Sequence, residues 1–194
     1  EQGLGGKSPA GQARHTGSDR RHHVILSAEG TRLGCFIFEL RRQGLIEDGH
    51  AAVSLALETM GRPSQIGTLQ EILDFVLLDL SFLPCIDFAH LHAASGGSLG
   101  EEKDFADVLD QVETRLGPER SKRMHIHFSK VEYGPKGELR HRVFSDEGFG
   151  PDFAPLARLL VQRDYRATII CESRGTMAED AAQMLRMADT VLPD

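Results

Sequence analysis

Long apolar runs are absent from this 194-residue chain. No stretch approaches the roughly 20 apolar residues that a membrane-spanning helix needs. Cysteine is scarce. Cys35, Cys85 and Cys171 stand far apart with no CxxC spacing, which argues against a disulfide framework. The expectation is reduced, buried cysteines acting as small hydrophobes in a cytoplasmic protein. Basic charge is in deficit, with 22 Lys+Arg against 29 Asp+Glu and a net charge of −7. That excludes a surface that binds polyanions everywhere, though not a local basic patch. No GxGxxG or P-loop fingerprint follows the first strand candidate, so nucleotide binding at a helix N-terminus has no support.

What is present is an ordinary globular composition, 40% hydrophobic and 26% charged. The length suits one domain, or part of a larger one, with a real core. Residues 1–21 start at Glu1, have no periodicity or signal-peptide pattern and are rich in Gly, Ser and Arg. They are expected to be disordered, with the folded domain at 22–194. From His22 onward, short apolar runs alternate with amphipathic stretches. The strand candidates are HVILSA (23–28), AVSLALE (52–58), PCIDFAH (84–90), MHIHFS (124–129) and ATIICES (167–173). Near-continuous apolar strands suit a parallel sheet buried on both faces. Helices are expected at 31–43, 68–80, 101–116, 152–163 and 177–189. Thr68 with Glu71 and Thr176 with Glu179 have capping-box spacing. Five strand–helix repeats predict a parallel α/β fold, either an open doubly wound sheet or a (β/α)8 barrel.

In such folds the chemistry sits at the carboxyl ends of the strands. Glu58, Asp87 with His90, His125 with His127, and Glu172 recur at that position on four consecutive strands. Burying one carboxylate or imidazole without a partner is costly, so the recurrence points to convergence on a metal held through N and O atoms, Zn, Mn or Fe. One of each histidine pair is expected to face the site, and His90 and His125 are taken over His92 and His127. The simpler roles remain a structural acceptor for Asp87 and an arginine partner for Glu172. His15, His22, His23 and His50 are expected on the surface. Segment 120–142 carries seven basic residues against two acidic ones, either a solvated face or a phosphate-facing one.

The stretches LETMGRPSQIGTLQEIL (57–73), CIDFAHLHA (85–93), HIHFSKVEYGPKGELRH (125–141) and IICES (169–173) resemble, in that order, the endonuclease IV family of abasic-site endonucleases. That family lies within the xylose-isomerase-like TIM barrels, and the resemblance covers roughly residues 45–192. It implies a (β/α)8 barrel with two or three zinc ions, which cuts DNA on the 5′ side of an abasic nucleotide. Matched position by position, it implies Glu58, Asp87, His90, His125, His141 and Glu172 as metal ligands, with Glu58 and Glu172 catalytic. In the loop, Leu139-Arg140-His141 stands where the family has Asp-x-His, with Glu138 one residue earlier as a candidate for the acid. Lys130, Arg140 and Arg142 are implied as contacts to DNA phosphates. Around 23–30, where the family has a histidine, Ser27 and Ala28 stand instead. The alignment therefore implies an incomplete barrel of about five parallel strands, with open edges prone to self-association. The alternatives are a sugar isomerase or epimerase on the same barrel, or a truncated fragment without activity.

Overall fold

A computed structural model describes residues 23–26 and 54–191. The expectations for residues 1–21, the helix at 31–43, Cys35 and His15, His22 and His50 fall outside the described residues, as does the side chain of His23.

Five strands form one parallel sheet: β1 (His23–Leu26), β2 (Ser54–Glu58), β3 (Phe82–Asp87), β4 (His125–Phe128) and β7 (Thr168–Cys171), in the order β1-β2-β3-β4-β7. Every neighbouring pair is parallel. Strand order follows chain order, as in a barrel wall wound by successive right-handed crossovers. The helices are α1 (Leu69–Leu78), α2 (Phe88–Ala94), α3 (Glu102–Leu116), the single turn α4 (Pro118–Ser121), α5 (Phe153–Gln162) and α6 (Met177–Asp189). A two-stranded antiparallel hairpin, β5 (Lys130–Gly134) and β6 (Gly137–Arg142), leaves the end of β4. The described part is thus a partial barrel.

Alternation along the strands separates two faces. Leu55 and Leu57 of β2 join Ile72 and Val76 of α1 in one apolar cluster. Ile86 of β3 and Ile126 and Phe128 of β4 join Phe105, Leu109 and Val112 of α3 and Leu156 of α5 in a larger one. The intervening residues, Glu58, Cys85, Asp87, His125 and His127, therefore line the inner face, and all are buried. A near-continuous run of buried residues was expected. The structure adds that its inner half is polar.

Local sequence explains where the elements start and stop. Thr68 and Glu71 make the expected capping box at the start of α1. The spacing at Thr176 and Glu179 does not give one. Thr176 instead donates its hydroxyl to Asp180 (2.9 Å), which also accepts the Phe144 amide (2.9 Å). The strand expected over 84–90 ends at Asp87, whose carboxylate accepts the His90 amide (2.8 Å) and so caps α2. His90 and His92 therefore stand on a helix. The hairpin was not expected from the sequence. Its turn uses Gly137 at φ 92°, where an added Cβ would lie 2.2 Å from the Gly61 carbonyl oxygen. That close approach seats the hairpin on the loop after β2, with Glu138 donating its amide to Gly61 (2.8 Å).

Phe105 is fully buried and packs its ring against Phe88, centroids 5.6 Å apart. Phe105→Ala is expected to lower the unfolding free energy by about 3–5 kcal/mol, read from the denaturant midpoint.

Candidate metal centre

Thr59, the first residue beyond β2, is fully buried and ties two strand ends together. Its amide donates to Cys85 (3.0 Å) and its hydroxyl accepts the Asp87 amide (2.9 Å), while its carbonyl accepts Nδ1–H of His90 (2.8 Å). The last bond fixes the tautomer of neutral His90 and leaves Nε2 with its lone pair outward. His141 on β6 is held likewise, with Nδ1 3.1 Å from the Glu172 carbonyl oxygen. The two Nε2 atoms lie 3.3 Å apart. Both rings have spent Nδ1–H on carbonyls, which only accept, so a proton or a cation must lie between the two lone pairs. Glu138 stands over the same point, its carboxylate oxygens 3.4 Å from His90 Nε2 and 3.5 Å from His141 Nε2.

The second group is built by sheet register. Asp87 of β3 pairs with His127 of β4, and Glu58 of β2 lies beside Cys85. Glu172 follows β7, its amide donating to Phe128 (3.0 Å). Nδ1 of His127 is 2.8 Å from Glu58 Oε1 and 3.0 Å from Glu172 Oε1. The ligand atoms of Glu58, Asp87, His127 and Glu172 all lie within 4.8 Å of one another, as do those of Asp87, His90 and His141. Asp87 belongs to both sets. Its Oδ2 is buried without a hydrogen-bond partner, an orphaned carboxyl oxygen that a cation would satisfy.

The electrostatics record the crowding of acids. Burial raises the Asp87 carboxyl pKa; His90 opposes the shift, and Glu58 and Glu172 add to it. Burial disfavours the imidazolium of His90, yet Asp87, the Thr59 carbonyl and Glu58 outweigh it and raise the ring's pKa. Burial likewise opposes protonation of His127, but Cys85, Glu172 and Glu58 push it up to about 12. Glu172, despite burial, is held below the usual carboxylate range by His127 and His141. Acids and imidazoles within mutual reach of one another are consistent with a metal site.

Of the residues expected at the site, Glu58, Asp87, His90, His141 and Glu172 are brought together, and Glu138 joins them. His125 is not among them. Residues two apart on a strand share a face, so His125 and His127 do not divide between inside and outside. They differ in depth: His125 pairs with Cys85 and His127 with Asp87, one row nearer the carboxyl rim. Among the described residues, the groups of possible ligands include His127 and not His125. His92 is buried away from the cluster. Its Nδ1 accepts the Leu99 amide (3.2 Å), its ring meets Tyr133 edge-on, and burial lowers its pKa. The basic residues lie along the hairpin, each beside an acid. Lys130 donates to the Asp146 carbonyl (2.9 Å) and stands 4.0 Å from Asp152. Arg140 and Arg142 both bind Glu132, and Arg142 lies over the Phe149 ring.

A family model described as a xylose isomerase-like TIM barrel matches residues 39–188. The chain belongs to that family. An uncharacterized protein of Methanocaldococcus jannaschii is 40% identical over 121 residues, 62% of this chain and 43% of the relative. A probable endonuclease 4 of Oceanobacillus iheyensis is 35% identical over 115 residues, 56% of this chain and 36% of the relative. The matched part thus spans less than half the length of these relatives. The crystal structure of endonuclease IV from Thermus thermophilus superposes with a TM-score of 0.56 at 21% identity, covering 88% of this chain and 61% of that one. At that identity the likeness shows the barrel fold alone. The xylose isomerase-like barrel is shared by abasic-site endonucleases and sugar isomerases, and buried His, Glu and Asp clusters consistent with a metal site suit this family. No helix among the described residues is long and apolar enough to cross a membrane.

Thr59 is the joint that fixes both Asp87 and His90. Thr59→Val, which keeps the shape and removes the hydroxyl, is expected to weaken zinc binding by about 10- to 100-fold in competition with a chromogenic chelator. Thr59→Ser should bind like the parent.

Proposed function

We propose that this chain carries the metal centre of an endonuclease that hydrolyses the DNA phosphodiester on the 5′ side of abasic sites. One observation carries the reading: two candidate cation positions meet at a shared carboxylate, Asp87, with two further acids, Glu58 and Glu172, around the inner one. Adjacent cation positions bridged by carboxylates suit in-line phosphoryl displacement. The resemblance to a probable endonuclease 4 supports the same reading.

Glu58, Asp87, His127 and Glu172 would hold one ion, and His90, His141, Asp87 and Glu138 a second. Zinc bound there supplies Lewis-acid polarisation of a phosphate and acidifies water near neutral pH. Glu58 is almost wholly buried and fixed to His127, so its role is to hold the site. Glu172 retains 31% side-chain exposure. It is the most exposed of the four acids, and it orients the attacking water and takes its proton. Arg140, with its side chain half exposed, contacts a backbone phosphate from the hairpin. Such contacts position the strand without reading bases.

A second reading, isomerisation or epimerisation of a sugar, is favoured by one observation. Lys130, Arg140 and Arg142 are each beside a carboxylate or carbonyl, which weakens the basic surface that DNA would need.

The test is nicking of an end-labelled duplex with a single abasic site by the zinc-loaded chain. Cleavage on the 5′ side, abolished by chelator, is the expected result. Glu172→Gln is expected to lower kcat/KM by about 10²–10⁴-fold with folding intact. A folded, metal-loaded chain that leaves the duplex whole and turns over an aldose or ketose would overturn the nuclease reading in favour of the isomerase.

A further inference from the structure

Cys85 has no place in the chemistry above, yet it does not sit as a filler residue would. Its position on β3 is two before Asp87 and directly beside Glu58 in register. It faces inward, is fully buried, and its sulfur lies within 4.8 Å of ligand atoms of both Glu58 and His127. The other buried cysteine among the described residues is a natural contrast. Cys171 packs in the apolar cluster with the helices, its thiol 3.4 Å from the Ser173 hydroxyl. A small hydrophobe belongs there, and not between a carboxylate and an imidazole.

A second, independent observation concerns His127. With Nδ1 taken by Glu58 and Glu172, its Nε2 is buried with no hydrogen-bond partner, on a residue only 3% exposed. A ring nitrogen so deep in the fold calls for a ligand.

We propose that Glu58, Cys85 and His127 form a thiolate-containing cation position, one row deeper than the oxygen-rich set of Asp87 and Glu172, which selects soft ions of the zinc, cobalt and cadmium type over magnesium and manganese. The inference rests on the reading that this cluster holds metal. It adds that sulfur closes the Glu58–His127 pair for soft ions and that Asp87 and Glu172 close it for hard ones. Thiolate prefers soft ions, whereas carboxylate serves hard ones. On coordination the thiol gives its proton to the buffer and the sulfur–metal bond replaces S–H.

The experiment is titration of the metal-free full chain with cobalt(II), followed by absorbance. The expected spectrum has visible ligand-field bands together with a near-ultraviolet thiolate-to-cobalt charge-transfer band. Cys85→Ser should lose the near-ultraviolet band and keep the visible ones, and Cys171→Ala should keep both. Cadmium affinity should fall in Cys85→Ser, with manganese affinity unchanged. Visible bands without the charge-transfer band in the parent chain would overturn the role of Cys85 and leave the metal centre standing. A charge-transfer band that survives Cys85→Ser would do the same. No cobalt spectrum at all would overturn both. A chain carrying Cys35→Ala and Cys171→Ala, which leaves Cys85 as its single cysteine, should keep the near-ultraviolet band, and its loss there would overturn the role of Cys85 even where Cys85→Ser fails to fold.

Discussion

Lateral register of the parallel sheet is the constraint on which this centre depends. Asp87 lies opposite His127, and Glu58 lies opposite Cys85. A shift of one residue in any pairing would turn these polar side chains into the helix layer and the apolar residues into the site. The apolar outer face prevents that slip. Leu57, Ile86, Ile126 and Phe128 are locked against α1, α3 and α5, and their burial fixes the inner face by default.

The same geometry makes the inner face costly. Four acids, Glu58, Asp87, Glu138 and Glu172, gather around three imidazoles. Two like charges about 4 Å apart at an effective dielectric of about 20 repel by about 4 kcal/mol. Asp87 carries this most plainly, with its pKa raised by burial and by the neighbouring acids. A cation bound there would relieve that repulsion and so couple binding to folding. The hairpin takes part in the same balance. Gly137 lets it approach the loop after β2, which brings Glu138 and His141 over His90.

Much of the framework was legible because it depends on local rules. The alternation of strands and helices, the Thr68–Glu71 cap and the end of α3 at Gly117 follow from nearest neighbours in the chain. Other features escaped for equally physical reasons. Asp87 serves as both strand end and helix cap, so the apolar run into Phe88 and Ala89 reads as strand although the backbone has turned. The hairpin is too polar on its exposed face for periodicity to mark it. Thr59 looks like any residue after a strand, and its hydroxyl matters only because Asp87 passes beside it.

The sequence by itself determined the parallel α/β architecture and the residue types available at the strand ends, since both follow from local pattern. Tertiary structure decided which of them meet. It chose His127 over His125, because depth along an inner face depends on the neighbouring strand. It put Cys85 beside Glu58 and His127, and Cys171 among the helices, because the facing of a side chain is fixed by what the sheet packs against. Composition assigns a cysteine to the interior; only packing decides whether that interior is apolar or crowded with charge.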